Sequence, residues 1–373
     1  MITVIVLRIL YLKYVFTTFD LLLSLYFIYS SFLIFFNHLP LSHFMQIFIT
    51  SKFIFIYLYF NSMHEKYKAE LFLHFFKLLI LIFIISAILS IFQFTLPGFL
   101  NSYSHDGRGF LGVTPGGIFW SRTLYPEFLL LFIILFFSFS NIPNDRFQNF
   151  FKLRFYIFSL TFLLVFLTFA RKELVLLTLL TPFLFRDKIS ASSKPIIYLL
   201  MIFSALILTF VFLSVFADIN SHTFTDKQVR FHLLQYSIEI FQYYFPFGSG
   251  PGTFGSIMSI QYQNIYEQFN VSSQIVGTNE KRGVIFDLFL ISLLAEYGLG
   301  WIFFIFIFIS MIWNKPNPYL KQLLNYPKIK TTIFIFLLII SIFVPILLNW
   351  VGFVMFTMIA LIFDKGKYNA ASN

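Results

Sequence analysis

Apolar residues run along this chain in long blocks rather than at the intervals of an amphipathic helix or strand. A helix needs roughly 17–25 mostly apolar residues to cross the hydrocarbon core of a bilayer. Ten blocks are predicted to do so, at 19–36, 44–60, 78–95, 117–139, 155–170, 174–185, 196–216, 284–313, 331–348 and 351–363. Those at 174–185 and 351–363 are short, and residues 1–16 form either an interfacial helix or an eleventh span. The expected architecture is all-α: one polytopic membrane domain over residues 1–373, with little of the chain outside the bilayer.

The polar connections orient these blocks. Alternating sides from an inner N-terminus puts seventeen lysines and arginines on the inner side, eight on the outer side and Lys52 within a span. Cytoplasmic loops carry such an excess, so both termini are expected in the cytoplasm. One connection, 217–283, faces outward and is long where the other outer ones are short. Within it Asp226 is placed to N-cap a helix. After it Arg230, Leu233, Leu234, Ser237, Ile238 and Phe241 recur at helical spacing. Pro246 ends that helix, and Gly248, Gly250 and Gly252 make an irregular turn. A long loop in so lean a chain points to function.

Composition agrees with the pattern. Hydrophobic residues make up 59% of the chain and charged ones only 11%, whereas a soluble domain is nearer a quarter charged. The mean hydropathy is +0.84. The net charge of +10 follows from the basic inner loops, so it does not call for nucleic acid. There is no cysteine, which excludes disulfides and thiolate metal sites. No cleavable signal is expected at 1–16, where Arg8 and Lys13 interrupt the apolar run.

The outward cations are the first candidates for chemistry: Arg108, Arg122, Arg171, Lys172 and Arg230. Guanidinium forks match phosphate oxygens bidentately, so arginines from three loops meeting near the outer face would suit a lipid diphosphate. The competing reading has Arg171 and Lys172 reaching to lipid headgroups and Arg108 solvating a loop. The segment Phe247-Gly-Ser-Gly-Pro-Gly-Thr-Phe254 follows no predicted strand and no P-loop lysine follows it, which argues against a nucleotide fingerprint. A tight turn re-entering the membrane surface fits better, and its amides could form an anion nest. Asp287 and Glu296 lie in the block 284–313 about 13 Å apart along a helix axis and on different faces. Asp287 stands near the outer end, where it can take a proton from a substrate hydroxyl. Glu296 reads either as functional or as a buried carboxyl bonded to another helix. The seven histidines are dispersed, without zinc-site spacing, so no metal and no cofactor are expected.

Four segments resemble the bacterial O-antigen polymerase and ligase family of membrane glycosyltransferases. They are Arg108-Gly-Phe-Leu-Gly with Thr114-Pro; Leu167-Thr-Phe-Ala-Arg-Lys172; Arg230 with the turn from Pro246 to Phe254; and Leu293-Leu-Ala-Glu-Tyr-Gly-Leu-Gly300. They keep the family's order around a long outer loop. Where the family's ligases carry a histidine at the start of the last segment, this chain has Asp287, which resembles the polymerase branch. The resemblance implies inverting, metal-independent glycosyl transfer at the outer face of the bacterial cytoplasmic membrane. Donor and acceptor would both be glycans on undecaprenyl diphosphate, among membrane lipid and with a chain-length regulator as a further partner. Arg108, Arg171 and Arg230, helped by Lys172, would hold the diphosphate, with Asp287 as base. Arg122, Gly248, Gly250, Gly252 and Glu296 would line the substrate. A ligase or a polysaccharide flippase are the alternatives.

Overall fold

Helix α1 (Thr18–Phe36) buries Tyr26 and Ser30 and turns Leu21, Leu25, Ile28, Phe32 and Phe35 outward. Helix α2 (Phe44–Asn61) likewise buries Gln46, Thr50 and Ser51 and exposes Met45 and Phe48. Helix α3 (Glu65–Thr95) buries Ser86, Ser90 and Gln93 beneath an exposed row of Leu78, Leu81, Ile84, Ile88 and Ile91. A soluble protein sorts these residues the opposite way. Polar groups between helices and apolar groups outside suit lipid surroundings.

The computed structural model describes residues 18–96, 115–119, 124–139, 153–168, 170–185, 226–256, 258–260, 262, 264–271, 289–343 and 349–364. Of these, 82% are helical, which makes the all-α class plain. Four helical stretches, Thr18–Phe36, Leu41–Asn61, Glu65–Thr95 and Ile291–Ile312, are long and apolar enough to cross a membrane. Leu124–Ser138, Arg154–Leu167 and Trp350–Ile362 are shorter apolar helices. These helices are compatible with a membrane protein. The block predicted at 196–216 lies outside the described residues.

Three elements depart from their hydropathy blocks. Helix α3 begins at Glu65 rather than 78, because helicity does not require apolarity: His64 caps it, its side chain accepting from Lys66 N at 3.3 Å. The block 117–139 opens with a 3₁₀ turn at Gly117–Phe119, and helix α4 starts only at Leu124 and runs to Ser138. The block 284–313 is broken: α9 (Phe289–Tyr297) passes through a 3₁₀ turn at Gly298–Gly300 into α10 (Trp301–Ile312). Hydropathy averages across such breaks, so apolar blocks alone miss them.

Two compact units divide the chain, each drawing on separated segments. The first takes residues 1–63, 230–316 and 359–373, the second 64–229 and 317–358. In the first unit α1 lies along α10, with the Tyr26 ring edge-on to Phe304 at 4.6 Å. Phe53 of α2 stacks on Phe308 of α10 at 4.8 Å. A two-residue ribbon, β1 (Lys315–Pro316) antiparallel to β2 (Phe363–Asp364), pairs Lys315 with Asp364. Helix α7 (Asp226–Tyr243) and the short α8 (Asn264–Gln268) come from the long connection.

The second unit is built around α4, whose residues Tyr125 to Ser138 are all buried. Its neighbours are α3, α5 (Arg154–Leu167), α6 (Arg171–Phe185) and α11 (Tyr326–Phe343), and α12 (Trp350–Ile362) begins here. Aromatic rings fill the contacts: Phe132 stacks on Phe83 at 4.3 Å, and Phe119 on Trp350 at 4.4 Å. Gln93 of α3 fastens the turn before α4. Its Oε1 accepts from Gly116 N at 2.9 Å and Gly117 N at 3.0 Å, and its Nε2 donates to Gly117 O at 3.3 Å.

A single substitution tests that fastening. Gln93→Leu leaves two buried amides without acceptors, each worth about 1–3 kcal/mol. The thermal midpoint of detergent-purified protein should fall clearly, while Ile91→Leu, on the exposed face of the same helix, leaves it unchanged.

Candidate functional site

In the first unit the glycine turn is folded onto the break between α9 and α10. A helix end leaves its last carbonyls without intrahelical partners. Here Ala295 O accepts from Ser249 N at 2.9 Å, and Glu296 O accepts from Gly250 N at 2.8 Å. In return Leu299 N donates to Pro246 O at 2.8 Å. The Tyr29 hydroxyl of α1 lies 2.8 Å from Tyr297 O and 3.0 Å from Phe247 O, sharing one proton between two carbonyls. This contact is possible because Gly248 (φ +83°) and Gly298 (φ +53°) pass each other backbone to backbone. A Cβ on Gly248 would strike Gly298 N, and one on Gly298 would strike Pro246 O. Both dihedrals also lie where side chains are strained.

The turn then wraps the Glu296 side chain. Glu296 is 1% exposed, and its Oε1 accepts from Phe254 N at 3.0 Å, with the amides of Gly252 and Thr253 close to the same carboxyl. The anion nest expected of this turn is therefore occupied by the chain's own carboxyl. Outer supports hold the turn in place. His43 Nδ1 lies 2.6 Å from Pro251 O. A carbonyl can only accept, so Nδ1 carries the proton and Nε2 keeps its lone pair. Asn37 Nδ2 donates to Gly248 O at 3.2 Å. Tyr266 of α8 accepts from Gly255 N at 2.9 Å and donates to Ser259 Oγ at 2.7 Å. Burial pushes the Tyr266 phenol up, so it serves as a neutral link.

The second unit holds a different polar group. Lys172, in the first turn of α6, places Nζ 3.4 Å from Glu173 Oε1 and 3.9 Å from Glu127 Oε1. Both glutamate side chains are fully buried, while that of Lys172 is 21% exposed. Asn349 Nδ2 donates to Glu127 Oε2 at 2.9 Å. Its Oδ1 accepts from Gly352 N at 2.8 Å, capping α12 and fixing which way the amide faces. The arrangement can present one ammonium to solvent against two buried carboxylates.

Of the candidate residues, the structure gathers Gly248, Gly250, Gly252 and Glu296 in the first unit. It places Arg171 at the first position of α6 and Arg230 within α7; their side chains lie outside the described residues. Arg108, Arg122 and Asp287 lie outside them altogether. Glu127 and Glu173 were missed by sequence reasoning, although Glu127 stands inside the block 117–139, where any ionisable group invites a functional question. No protein-family model matches the chain, and no curated protein or solved structure matches it either.

The interlock yields a stability test. Gly298→Ala forces a side chain into the left-handed region against Pro246 O and should lower unfolding free energy by at least about 1–3 kcal/mol. Tyr29→Phe removes only one hydroxyl and should cost about 1 kcal/mol. Thermal unfolding of the purified variants measures both, and equal midpoints for Gly298→Ala and the wild type would refute the interlock.

Proposed function

We propose that this chain is a membrane glycosyltransferase that polymerises undecaprenyl-diphosphate-linked repeat units into a surface polysaccharide. The product would be O-antigen, capsule or exopolysaccharide. The observation carrying the reading is that two of the four resembling segments, 246–254 and 293–300, interlock through backbone bonds although some forty residues separate them. Segments that read as one signature are thus one folded piece, which supports treating the resemblance as structural rather than accidental. The inside-out burial of α1, α2 and α3 supports the membrane part of the reading. In the proposed topology ten helices cross the bacterial cytoplasmic membrane, both termini lie inside, and 217–283 lies outside.

The chemistry follows from the residue types. The hydroxyl oxygen of the acceptor's terminal sugar attacks the anomeric carbon of the donor glycan. The bond from that carbon to the phosphate oxygen breaks with inversion, and Asp287 takes the hydroxyl proton. Diphosphate leaves readily once its charge is held, so cations matter more than a strong acid. Arg108, Arg171 and Arg230 are assigned that charge, with Lys172 assisting. Glu296 and the glycine turn give the reaction a fixed floor rather than a reacting group, because their polar atoms are already engaged with each other.

A broken helix beside a buried carboxyl is also a transporter feature, and the break at Gly298–Gly300 gives that reading one observation. Transporters direct the broken ends at cargo, whereas here the carbonyl end of α9 is capped by the chain's own turn. Purified protein with lipid-linked repeat units separates the classes: longer chains mean polymerase, and movement across vesicles without elongation means flippase.

Arg171→Ala and Arg230→Ala should each abolish elongation at near-normal membrane levels. Lysine should rescue poorly, since a point charge cannot reproduce a bidentate fork. Asp287→Asn should slow turnover about 10²–10⁴-fold and spare donor binding. In cells this leaves single repeat units on the final acceptor, visible on gels of the surface glycan; long chains stranded on the carrier lipid would point to a ligase instead.

Orientation has its own measurement. The chain has no cysteine, so single cysteines report cleanly. Exposed Glu267, replaced by cysteine, should react with a membrane-impermeant thiol reagent in intact spheroplasts. Exposed Lys321, replaced likewise, should react only after lysis. The reverse pattern would invert the topology.

A further inference from the structure

The group around Lys172 is unusual in how its charges are distributed. Lys172 is the only one of the three ionisable side chains with solvent exposure, at 21%, and the two carboxylates behind it are fully buried. Two acids facing one ammonium are more than a buried ion pair needs, since desolvation penalises every uncompensated charge. The helices explain part of this: Glu127 and Glu173 each sit in the first turn of a helix, where the macrodipole favours negative charge. That accounts for the acids but not for the lysine that faces both. Asn349 adds a further constraint, since its amide is oriented by capping α12 and therefore holds Glu127 in place toward Lys172.

We propose that Glu127 and Glu173 are positioning residues that compete with a diphosphate for Lys172, and so set how fast the diphosphate product leaves. The inference rests on the glycosyltransferase reading for the identity of the anion. An ammonium in partly buried surroundings without counter-charges would hold a diphosphate firmly, both before and after glycosyl transfer. Firm holding of the product is a disadvantage, because release limits turnover in many enzymes. With two carboxylates behind it, Lys172 has a resting partner to return to. Its ammonium swings between the glutamates and the phosphate oxygens, and no bond is made or broken in the exchange. If the glutamates served only the helix dipole, their loss would loosen the helices and weaken binding. Competition predicts the opposite sign.

The test uses full-length protein in lipid nanodiscs, with inorganic pyrophosphate as the first probe and a short prenyl diphosphate as the second. Glu127→Gln, Glu173→Gln and the double variant keep side-chain volume and remove charge. Each should bind pyrophosphate more tightly than the wild type, by about 5–30-fold, the scale of one to two kcal/mol. With lipid-linked repeat units, single-turnover transfer should stay near the wild-type rate, while multiple turnover slows and inhibition by added pyrophosphate deepens. In a Lys172→Met background the glutamine substitutions should no longer change affinity, as a double-mutant cycle requires if Lys172 carries the effect. Thermal midpoints recorded alongside identify any variant that has failed to fold, and either single variant then carries the sign. Unchanged or weaker pyrophosphate binding in folded variants would overturn the proposal, as would the same tightening without Lys172. Tightening confined to nanodiscs of anionic phospholipid, and absent with pyrophosphate, would also overturn it, assigning Lys172 to headgroups. Tightening through Lys172 in a protein that never elongates glycan would sustain the competition and defeat the polymerase reading.

Discussion

A helix broken in apolar surroundings must find partners for every backbone group the break releases, and the first unit is organised around that requirement. Unpaired carbonyls and amides away from water are expensive, by several kcal/mol each where nothing else can bond them. The break at Gly298 releases the carbonyls of Ala295, Glu296 and Tyr297. Their partners are two amides of the glycine turn and the Tyr29 hydroxyl. Because the turn must approach to hydrogen-bonding distance, glycine is required on both sides of the contact. Because Tyr29 must reach the break, α1 must lie close to it, and a Cβ on Gly300 would collide with the Tyr29 ring. One unsatisfied helix end thus fixes a loop, a neighbouring helix and three glycines.

The same requirement extends outward in diminishing steps. Once the turn is seated, its own carbonyls need donors, and the chain supplies Asn37 and His43 from the segment between α1 and α2. Its amides need acceptors, and these are the Glu296 carboxyl and the Tyr266 hydroxyl. The result is a polar kernel inside a unit whose outer surface is leucine, isoleucine and phenylalanine. Partly satisfied kernels are costly and fully satisfied ones rigid, so this one acts as a fixed point from which the rest of the long connection extends.

Such a kernel is only half visible in a sequence. Block boundaries at 19–36 and 44–60 fall within one residue of the observed Thr18–Phe36 and Phe44–Asn61, because polar residues at Asn37-His38 and Asn61-Ser62 end each apolar run sharply. The helix from Asp226 was legible from its periodicity, and the glycine turn from its composition. What the turn grips was not legible. Glu296 looked like a lone intramembrane acid, and its acceptor role toward Phe254 depends on a fold that brings residues 42 positions apart together. Glu127 was visible as a charge in an apolar block and went unused, since its meaning depends on Lys172 and Asn349, neither of which is its neighbour in sequence. Hydropathy reports where the chain is apolar. It does not report which polar groups find each other inside.

The two units therefore show two ways of keeping a charge away from water, and the difference separates framework from candidate chemistry. Glu296 is bonded to backbone amides that cannot move without opening the turn, so its charge is closed off and structural. Glu127 and Glu173 face a lysine on a flexible four-carbon stem that reaches solvent, so their compensation is reversible. A reaction that binds and releases an anion many times needs a charge that can change partners, which a backbone-bound carboxylate cannot supply and a tethered ammonium can. On that ground the lysine group, rather than the glycine turn, is where an anionic substrate would act on this fold, even though the turn is the more conspicuous motif in the sequence.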